Sequence, residues 1–399
     1  MEVLKVALAT LLLVYLIRRK TNLGLAMGAT GLALAVLFQM SPGAAGRSAL
    51  DAVLDFKNIS LIIALILIST LEKVMDLKQL VGSLTNLVGD NRLVAAMLPA
   101  FMGLLPSPGG AAFSAPMVGE ASTDMGISPE RKSFINYWYR HPWEYVFPLY
   151  PGFILAMQMT SMPPTDIIKA QYPLTIMAIL AAIPFAFYGV KNSLVRGENN
   201  GSRTRYLLDL VLGIWPVFAI IVMVLVLKLE IALSLAVALL ALMAVKRYSP
   251  KRAVDVFRAA FNVNTVILVL GAMFFKEILM DSGAVKELSY ALTSAGIPLI
   301  LLFIAIPFLA GILTGLAIGF VGVSFPILLG LLDGGVMSPH LLALAYASGF
   351  AGQMLSPTHL CLVLTLHHFK ADFGRTYRMV LIPQGAVLGL AAVLYFVSR

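Results

Sequence analysis

The sequence predicts an all-α polytopic membrane protein made of two inverted repeats. The chain has 399 residues, of which 59% are hydrophobic and 12% are charged, and its mean hydropathy is +0.90. Apolar runs long enough to span a bilayer recur from end to end, and weak sequence matches recur in the same order about 205 to 210 residues apart. We therefore expect about ten transmembrane helices and two re-entrant helical hairpins, with five helices and one hairpin in each repeat.

Ten apolar segments have the length of a transmembrane helix. They are residues 2–17, 22–40, 58–75, 133–158, 171–190, 206–227, 229–245, 263–280, 340–366 and 378–397. Two further apolar segments, 92–126 and 297–332, have small and turn-forming residues at their centres, which is typical of re-entrant hairpins. Segments 76–90 and 281–295 are more polar and too short to span, so we expect them to lead into the hairpins as arms or loops.

The repeat is visible in matched segments. RSALDAVLDFKN at 47–58 resembles KRAVDVFRAAFN at 251–262, and NYWYRHPWEYVFPLYP at 136–151 aligns with AYASGFAGQMLSPTHL at 345–360. The second alignment pairs three positions: Tyr137 with Tyr346, Glu144 with Gln353, and Pro148 with Pro357. An odd number of spans turns the second repeat upside down relative to the first. The predicted units are a first repeat at 1–190 (hairpin 92–126, broken helix 133–158), a cytoplasmic linker at 191–205, and a second repeat at 206–399 (hairpin 297–332, broken helix 340–366).

The net charge of +9 is interpreted as membrane topology rather than nucleic-acid binding. With the N-terminus outside, most of the 29 lysines and arginines fall in cytoplasmic segments, as the positive-inside rule requires. This orientation places both termini outside the cytoplasm. It predicts that Lys132 and Asn199 are cytoplasmic and that Asp166 and Asp333 are outside. The one cysteine excludes an intramolecular disulfide framework.

The segment 133–158 carries Arg140, His141 and Glu144 near its middle, together with three prolines. Ionisable groups at membrane depth cost several kcal/mol unless they face a cavity or a partner, and prolines break the helix there. Arg140 is a candidate to bind a carboxylate or phosphate; the alternative is a structural ion pair with Glu144. His141 and Glu144 are candidate proton carriers, and the alternative for His141 is a hydrogen-bonded structural role.

The predicted hairpin tips and the second broken helix supply further candidates. Residues 106–110, PSPGG, precede a helix whose exposed amides attract an anion, although a tight turn between packed helices is the alternative. The second tip, TGLAIGFVGVS at 314–324, serves close helix packing equally well. In the second broken helix, carbonyl groups freed by Pro357 and the hydroxyl groups of Ser356 and Thr358 suit Na⁺ or a substrate oxygen.

These considerations give three groups of candidate site residues. The substrate-binding candidates are Ser107, Gly109, Gly110, Arg140, Thr314, Gly315 and Thr358. The proton-coupling candidates are His141, Glu144 and His359. The Na⁺ candidates are Ser107, Pro148, Thr314, Ser356 and Thr358.

Several motifs resemble a known family. LLPSPGGAAFSAPM at 104–117, NYWYRHPWEY at 136–145 and GQMLSPTHLCLVLT at 352–365 resemble the uncharacterised integral membrane proteins of the DUF401 family. The duplicated units with proline-broken helices resemble the ion transporter superfamily, which includes divalent-anion/sodium symporters and gluconate and citrate permeases. That resemblance implies an elevator-type carrier with a homodimeric scaffold. The Ser-Asn-Thr hairpin signature of the dicarboxylate branch is absent, so the resemblance leaves dicarboxylate specificity and the Na⁺ sites open.

The sequence therefore predicts a secondary active transporter in the cell inner (plasma) membrane. Its expected cargo is a small organic anion of the carboxylate type, moved together with Na⁺ or H⁺, and no other cofactor and no nucleic acid is expected. The alternatives are a Na⁺/H⁺ antiporter, a channel or an inorganic-anion carrier. An enzyme is not expected: a membrane-embedded hydrolase using His141 and Glu144 is more remote, because the sequence contains no recognisable nucleophile or metal set.

Overall fold

In a computed structural model of the protein, residues 2–19, 21–75, 77–88, 90–104, 110–190, 202–284 and 296–398 are described. Within these ranges all regular secondary structure is helical, as the sequence predicts. The first half contains α1 (Glu2–Arg18), α2 (Leu23–Leu37), α3 (Pro42–Leu54), α4 (Phe56–Val74), α5 (Leu77–Leu87), α6 (Asn91–Met102), α7 (Ala111–Ala121), α8 (Pro129–Tyr139), α9 (Pro151–Thr160) and α10 (Pro164–Phe187). The second half contains α11 (Arg203–Leu225), α12 (Ile231–Val245), α13 (Pro250–Ala260), α14 (Val263–Asp281), α15 (Leu299–Thr314), α16 (Ala317–Gly330), α17 (Pro339–Met354), α18 (Leu360–Phe369) and α19 (Phe373–Val397).

Several helices are compatible with a polytopic membrane protein. Among the described residues, α10, α11, α14 and α19 are long and apolar enough to cross a membrane, and α3 with α4, bent by 44°, forms a fifth candidate. Shorter apolar helices, α2, α12, α15, α16 and α18, have 10–17 residues. Of the predicted spans, 22–40 and 229–245 each contain a 15-residue helix. The number of transmembrane spans therefore stays a prediction.

The helices pack in two groups, and each group takes members from both halves of the chain. We call α6–α10 with α15–α19 the core group, and α1–α5 with α11–α14 the flanking group. In the core group α6 packs on α8, α15 on α17, α7 on α18, and α9 on α16. In the flanking group α2 packs on α14 and α4 on α12. The two groups meet through fewer interfaces, mainly α14 against α16 and α5 against α6.

Four helices, two in each half of the chain, begin with the same Ser-Pro dipeptide. α3, α8, α13 and α17 each have a serine N-cap whose hydroxyl oxygen accepts a hydrogen bond from the amide three residues later, with proline at the first helical position. The cap satisfies an otherwise orphan amide, and proline has no amide to satisfy. Sequence analysis assigned no element to α3 or α13, so these two helices are a finding of the structure.

Two helix crossings are close enough for backbone to touch backbone. In the flanking group, a Cβ added at Gly271 would lie 2.0 Å from the carbonyl oxygen of Gly24. In the core group, a Cβ added at Gly352 would lie 2.0 Å from the carbonyl oxygen of Phe308. Real Cβ atoms do not approach other atoms this closely, so only glycine permits these crossings.

Candidate functional site

Two interrupted helical segments meet in the interior of the core group. In the first, α8 ends at Tyr139, a 3₁₀ turn covers Pro142–Tyr145, and α9 begins at Pro151. In the second, α17 ends at Met354 and α18 begins at Leu360. Prolines at the starts of the 3₁₀ turn and of α9 remove amide donors, so these residues begin new helices rather than continue α8. The interruptions lie within the predicted segments 133–158 and 340–366.

A cluster of two histidines and one cysteine joins the interruptions. His141, from the first, places its Nε2 atom 3.2 Å from Nε2 of His359, from the second. The nearest ligand atoms of His141, His359 and Cys361 all lie within 4.8 Å of one another, and all three residues are buried. Each histidine Nδ1 faces a backbone carbonyl oxygen: Tyr137 O at 2.5 Å from His141, and Gly315 O at 2.8 Å from His359. We call these three side chains the His-Cys cluster.

Glu144 lies beside this cluster and contacts the other half of the chain. Its Oε1 atom is 3.7 Å from Nε2 of His141, and its Oε2 atom accepts a hydrogen bond from Nε2 of Gln353 at 3.2 Å. The backbone carbonyl of Glu144 accepts a hydrogen bond from the Tyr346 hydroxyl at 3.1 Å. The Oε1 atom of Gln353, a residue that is 2% exposed, has no hydrogen-bond partner in the described part of the structure. The Gln353 side-chain oxygen can therefore accept a further hydrogen bond beside the Glu144 carboxylate.

Arg140 is 3% exposed and lies against the end of α6. Its Nη1 atom donates to the carbonyl oxygen of Met102 at 3.0 Å. Two other side chains of the first interruption donate to carbonyl groups of the same helix end: Trp143 to Ala100 at 2.7 Å, and the Tyr150 hydroxyl to Gly103. The last carbonyl groups of a helix have no partners within it, so these donors satisfy them.

Side chains of the second interruption likewise donate hydrogen bonds to carbonyl groups at the end of α15. The hydroxyl of Ser356 donates to the carbonyl oxygen of Ile312 at 2.7 Å, and the Ser356 and Thr358 hydroxyl oxygens are 2.9 Å apart. Gly315 ends α15 with a φ of 62°, a left-handed conformation in which a side chain would be strained. Its carbonyl then meets His359.

The structure brings some predicted site residues together and separates others. His141, Glu144 and His359, the proton-coupling candidates, lie in one buried cluster. Gly315, Ser356 and Thr358 meet at the second interruption, where Thr358 is exposed, and Thr314 uses its hydroxyl on the Ala310 carbonyl. Arg140 lies at the first interruption, Gly110 is the buried N-cap of α7, and Pro148 is buried between the 3₁₀ turn and α9. The candidates Ser107 and Gly109 lie outside the described residues.

Sequence reasoning left Cys361, Gln353 and Tyr346 out of the candidate site. The alignment that pairs Tyr137 with Tyr346 and Glu144 with Gln353 could have found two of them, because Tyr137 and Glu144 lie in the segment that supplies His141. Nothing in the sequence signals the third, because Cys361 meets His141 across 220 residues of chain.

A cavity of about 560 Å³ opens between the two helix groups. Its walls include Lys57 and Lys228 from the flanking group and Gln158 and Asp166 from the core group. The Oε1 atom of Gln158 is buried there without a hydrogen-bond partner among the described residues. Gln158 is seven residues beyond the start of α9, or about 10 Å along the helix from the first interruption.

Comparison with known proteins places the chain in a family. The family model described as "Protein of unknown function (DUF401)" matches residues 2–398, so the chain belongs to this family. No curated protein matches the chain.

Proposed function

We propose that this member of the DUF401 family is a secondary active transporter that moves a small organic anion across the membrane together with Na⁺ or H⁺. The observation that carries the proposal is the meeting of two interrupted helices, one from each half of the chain, at a buried polar cluster. Interrupted backbone and ionisable groups in an apolar helical protein are costly, and they persist where they line a substrate or ion pathway.

The proposal includes an inverted repeat, with residues 1–190 and 206–399 as its units. Contacts that exchange to within one residue support this assignment: the Tyr137 hydroxyl donates to the carbonyl of Met354, while the Tyr346 hydroxyl donates to the carbonyl of Glu144. Glu144 and Gln353, which the sequence alignment pairs, bond to each other. The helix packing also recurs with the halves exchanged, since α2 packs on α14 and α12 on α4. In this scheme α6–α7 and α15–α16 are the two re-entrant hairpins.

The proposed substrate site lies between the hairpin tips and the interruptions. Arg140 supplies a permanent positive charge and a planar set of donors that match a carboxylate. Its charge lies in a buried setting, where an arriving anion gains more than it would in water. The remaining proposed contacts are Ser107, Gly109, Gly110, Thr314, Gly315 and Thr358.

The coupling ion has two candidate sites, which the test below distinguishes. His141, Glu144 and His359 are the proposed proton carriers, and they are the buried ionisable groups shared by the two interruptions. The proposed Na⁺ ligands are Ser107, Pro148, Thr314, Ser356 and Thr358. For the motion, we propose displacement of the core group along the flanking group, in a homodimer held by the flanking groups. The cavity of about 560 Å³ between the groups is large enough for a small organic anion.

A ligand screen with a matched control variant tests the substrate site. Purified protein is screened by thermal shift against organic acids and inorganic anions, because a ligand of the folded state raises the melting temperature. For a ligand found this way, Arg140→Lys should weaken affinity about ten- to a hundredfold, since lysine lacks the planar pair of donors. Arg258→Lys, on the exposed face of α13, should leave it unchanged. Equal affinity in all three proteins excludes Arg140 from the site.

Flux in liposomes tests transport and identifies the coupling ion. Uptake of the labelled anion is measured with a Na⁺ gradient, a proton gradient, or neither. Uphill uptake with one gradient supports the proposal and names the ion. Cation-dependent proton flux with no organic solute present would instead indicate a Na⁺/H⁺ antiporter. Anion flux that only runs downhill under all three conditions would indicate a channel.

Cysteine labelling in intact cells tests the proposed topology, with both termini outside the cytoplasm in the inner membrane. Cysteines introduced at Asn199 and at Asp166 should react from opposite sides. The unmodified protein is the blank, because Cys361, its one cysteine, is buried. Labelling of both positions from the same side contradicts the inverted repeat.

A further inference from the structure

We propose that His141, His359 and Cys361 form a binding site for a divalent transition-metal ion that prefers nitrogen and sulfur ligands, of which Zn²⁺ is the test case. The two Nε2 atoms are 3.2 Å apart, and the Cys361 sulfur lies within 4.8 Å of both. Imidazole nitrogen and thiolate sulfur are the usual protein ligands of Zn²⁺. The site shares His141 and His359 with the proposed proton carriers, but zinc binding is measured without substrate or flux, so the two proposals are tested separately.

Hydrogen accounting requires a cation or a proton between the two rings. Each Nδ1 faces a carbonyl oxygen, which only accepts, so Nδ1 of both His141 and His359 carries the hydrogen. In the neutral rings both Nε2 atoms then carry bare lone pairs, and the two atoms lie 3.2 Å apart. Two lone pairs at this distance repel unless a cation or a proton lies between them. The carbonyl groups fix the ring tautomers in the way typical of metal-binding histidines.

The separation of the nitrogens fits tetrahedral coordination. With Zn–N bonds of about 2.0–2.1 Å, two tetrahedral ligand nitrogens are about 3.3 Å apart. The observed 3.2 Å needs almost no adjustment. Cys361 lies two residues after His359, in the first turn of α18.

Charge balance explains why the site suits a divalent ion. Glu144 lies 3.7 Å from Nε2 of His141 and can supply the fourth ligand. The Cys361 thiolate and the Glu144 carboxylate together balance the charge of a divalent cation, the two neutral histidines add no charge, and the guanidinium of Arg140 beside Cys361 adds one positive charge. Buried charges are tolerated when they are paired or bind a metal. A bound ion would also join the two interruptions, because His141 belongs to the first and the other two ligands to the second.

The first experiment measures metal content and thiol protection in the unmodified full chain. Protein is produced without a histidine tag in zinc-supplemented medium, purified in detergent and passed through a desalting column. We expect close to one zinc per chain by elemental analysis, and slow modification of the one cysteine that becomes fast after chelation. Less than about 0.1 zinc per chain, with a thiol rate that chelation leaves unchanged, overturns the proposal.

Variants then assign the ligands. Cys361→Ser and His359→Gln should each lower zinc content at least about tenfold, while His367→Gln, an exposed histidine on α18, should leave it unchanged. Equal zinc in the Cys361→Ser and unmodified proteins contradicts the site. Because a ligand variant can fail to fold, Co²⁺ is also loaded into the unmodified protein. A thiolate-to-cobalt charge-transfer band supports the site, and its absence from a cobalt-loaded protein contradicts it.

The dependence of zinc affinity on pH gives a further test. Metal binding displaces hydrogen from the thiol and from any protonated histidine, so zinc affinity should fall as the pH is lowered. Proton release on zinc addition to the apo protein, measured in a weakly buffered solution, should accompany binding. Zinc content is measured without substrate or flux, so zinc binding supports this inference whatever the flux experiments show. Anion transport by a protein that binds no zinc overturns this inference alone, so the two failures are distinguishable.

Discussion

The two interruptions satisfy the ends of α6 and α15 with different side chains. In the first half, the carbonyl groups of residues 100–103 at the end of α6 accept hydrogen bonds from Arg140, Trp143 and Tyr150. In the second half, carbonyl groups at the end of α15 accept from the much shorter Ser356 and from His359. Helix-end carbonyl groups are therefore satisfied by three long side chains, one of them charged, in the first half, and by a serine and a histidine in the second.

The difference shows how donor length sets the distance between helices. Short donors reach a neighbouring backbone only when the helices almost touch, and glycines permit that contact between α15 and α17. A Cβ added at Gly311 would lie 2.1 Å from the Gly349 carbonyl oxygen. In the first half, a Cβ added at Gly103 would lie 2.1 Å from the Arg140 carbonyl oxygen, so the chain approaches closely at that glycine too. The first half, which supplies the longer donors, also supplies the buried charged residues Arg140 and Glu144.

The largest effect is expected where the second half depends on glycine. Gly352→Val should prevent folding, because the added side chain would overlap the backbone of α15. We expect the free energy of unfolding to fall by more than about 5 kcal/mol. Gly385→Val is the matched control: this glycine is exposed on α19 and has nothing within 4 Å of an added Cβ. It should change stability by less than about 0.5 kcal/mol. The measurements are purified yield and thermal unfolding in detergent. Similar yields would contradict the close contact.

A charge-removal cycle tests the first half. If Arg140 mainly neutralises Glu144, Arg140→Gln should destabilise by about 3–5 kcal/mol, because it leaves a buried carboxylate uncompensated. Adding Glu144→Gln should then restore stability. If Arg140 recognises substrate directly, the double variant should fold but bind poorly. Melting temperature and ligand affinity are measured for all four proteins. Normal anion affinity in a well-folded double variant rules out direct recognition by Arg140.

One hydroxyl group can be removed from each interruption. Tyr150→Phe leaves the Gly103 carbonyl without its donor, and Ser356→Ala does the same to the Ile312 carbonyl. Each should cost about 1–3 kcal/mol, the usual effect of an unsatisfied buried group. Tyr188→Phe, at an exposed tyrosine, should stay within about 0.5 kcal/mol. Thermal unfolding provides the comparison. A neutral Ser356→Ala would show that the second interruption does not hold α15 in this way.

The smallest expected effect concerns the starts of α8 and α17, which share a Ser-Pro cap but differ at the next residue. Hydrogen bonds from its own backbone amide, from Ser128 and from the amide of Asp372 hold the pKa of the Glu130 carboxyl below its usual value. The corresponding residue of α17 is His340. A depressed pKa stabilises the folded state above the ordinary value of about 4.3, and this stabilisation is lost as the pH falls through the folded-state pKa.

Glu130→Gln should therefore flatten the dependence of melting temperature on pH in the acid range and leave neutral stability nearly unchanged. Glu120→Gln, at an exposed carboxylate on α7, is the control. If the melting temperature depends on pH in the same way in the unmodified and Glu130→Gln proteins, the hydrogen bonds to Glu130 do not stabilise the start of α8.

Much of the architecture could be predicted from local chemistry. Prolines mark both interruptions, and apolar runs mark most helices, because these signals act within a few residues. α13 escaped prediction because Lys251, Arg252, Asp255 and Arg258 make it polar, so no apolar run marks it. The His-Cys cluster also escaped in part. Its members come from both halves, and the packing that brings them together is not encoded at any one position.

The crossing of α2 and α14 has a mechanical consequence. At Gly24 and Gly271 the two backbones touch, so no side chain there can change rotamer to absorb a tilt. A new crossing angle would require bending the helices themselves, which makes this part of the molecule stiff. Interfaces made of side chains yield more readily, because small rotamer changes allow packed helices to slide. Under load, strain in this protein should therefore collect at the surface between the two helix groups, where the cavity already separates them.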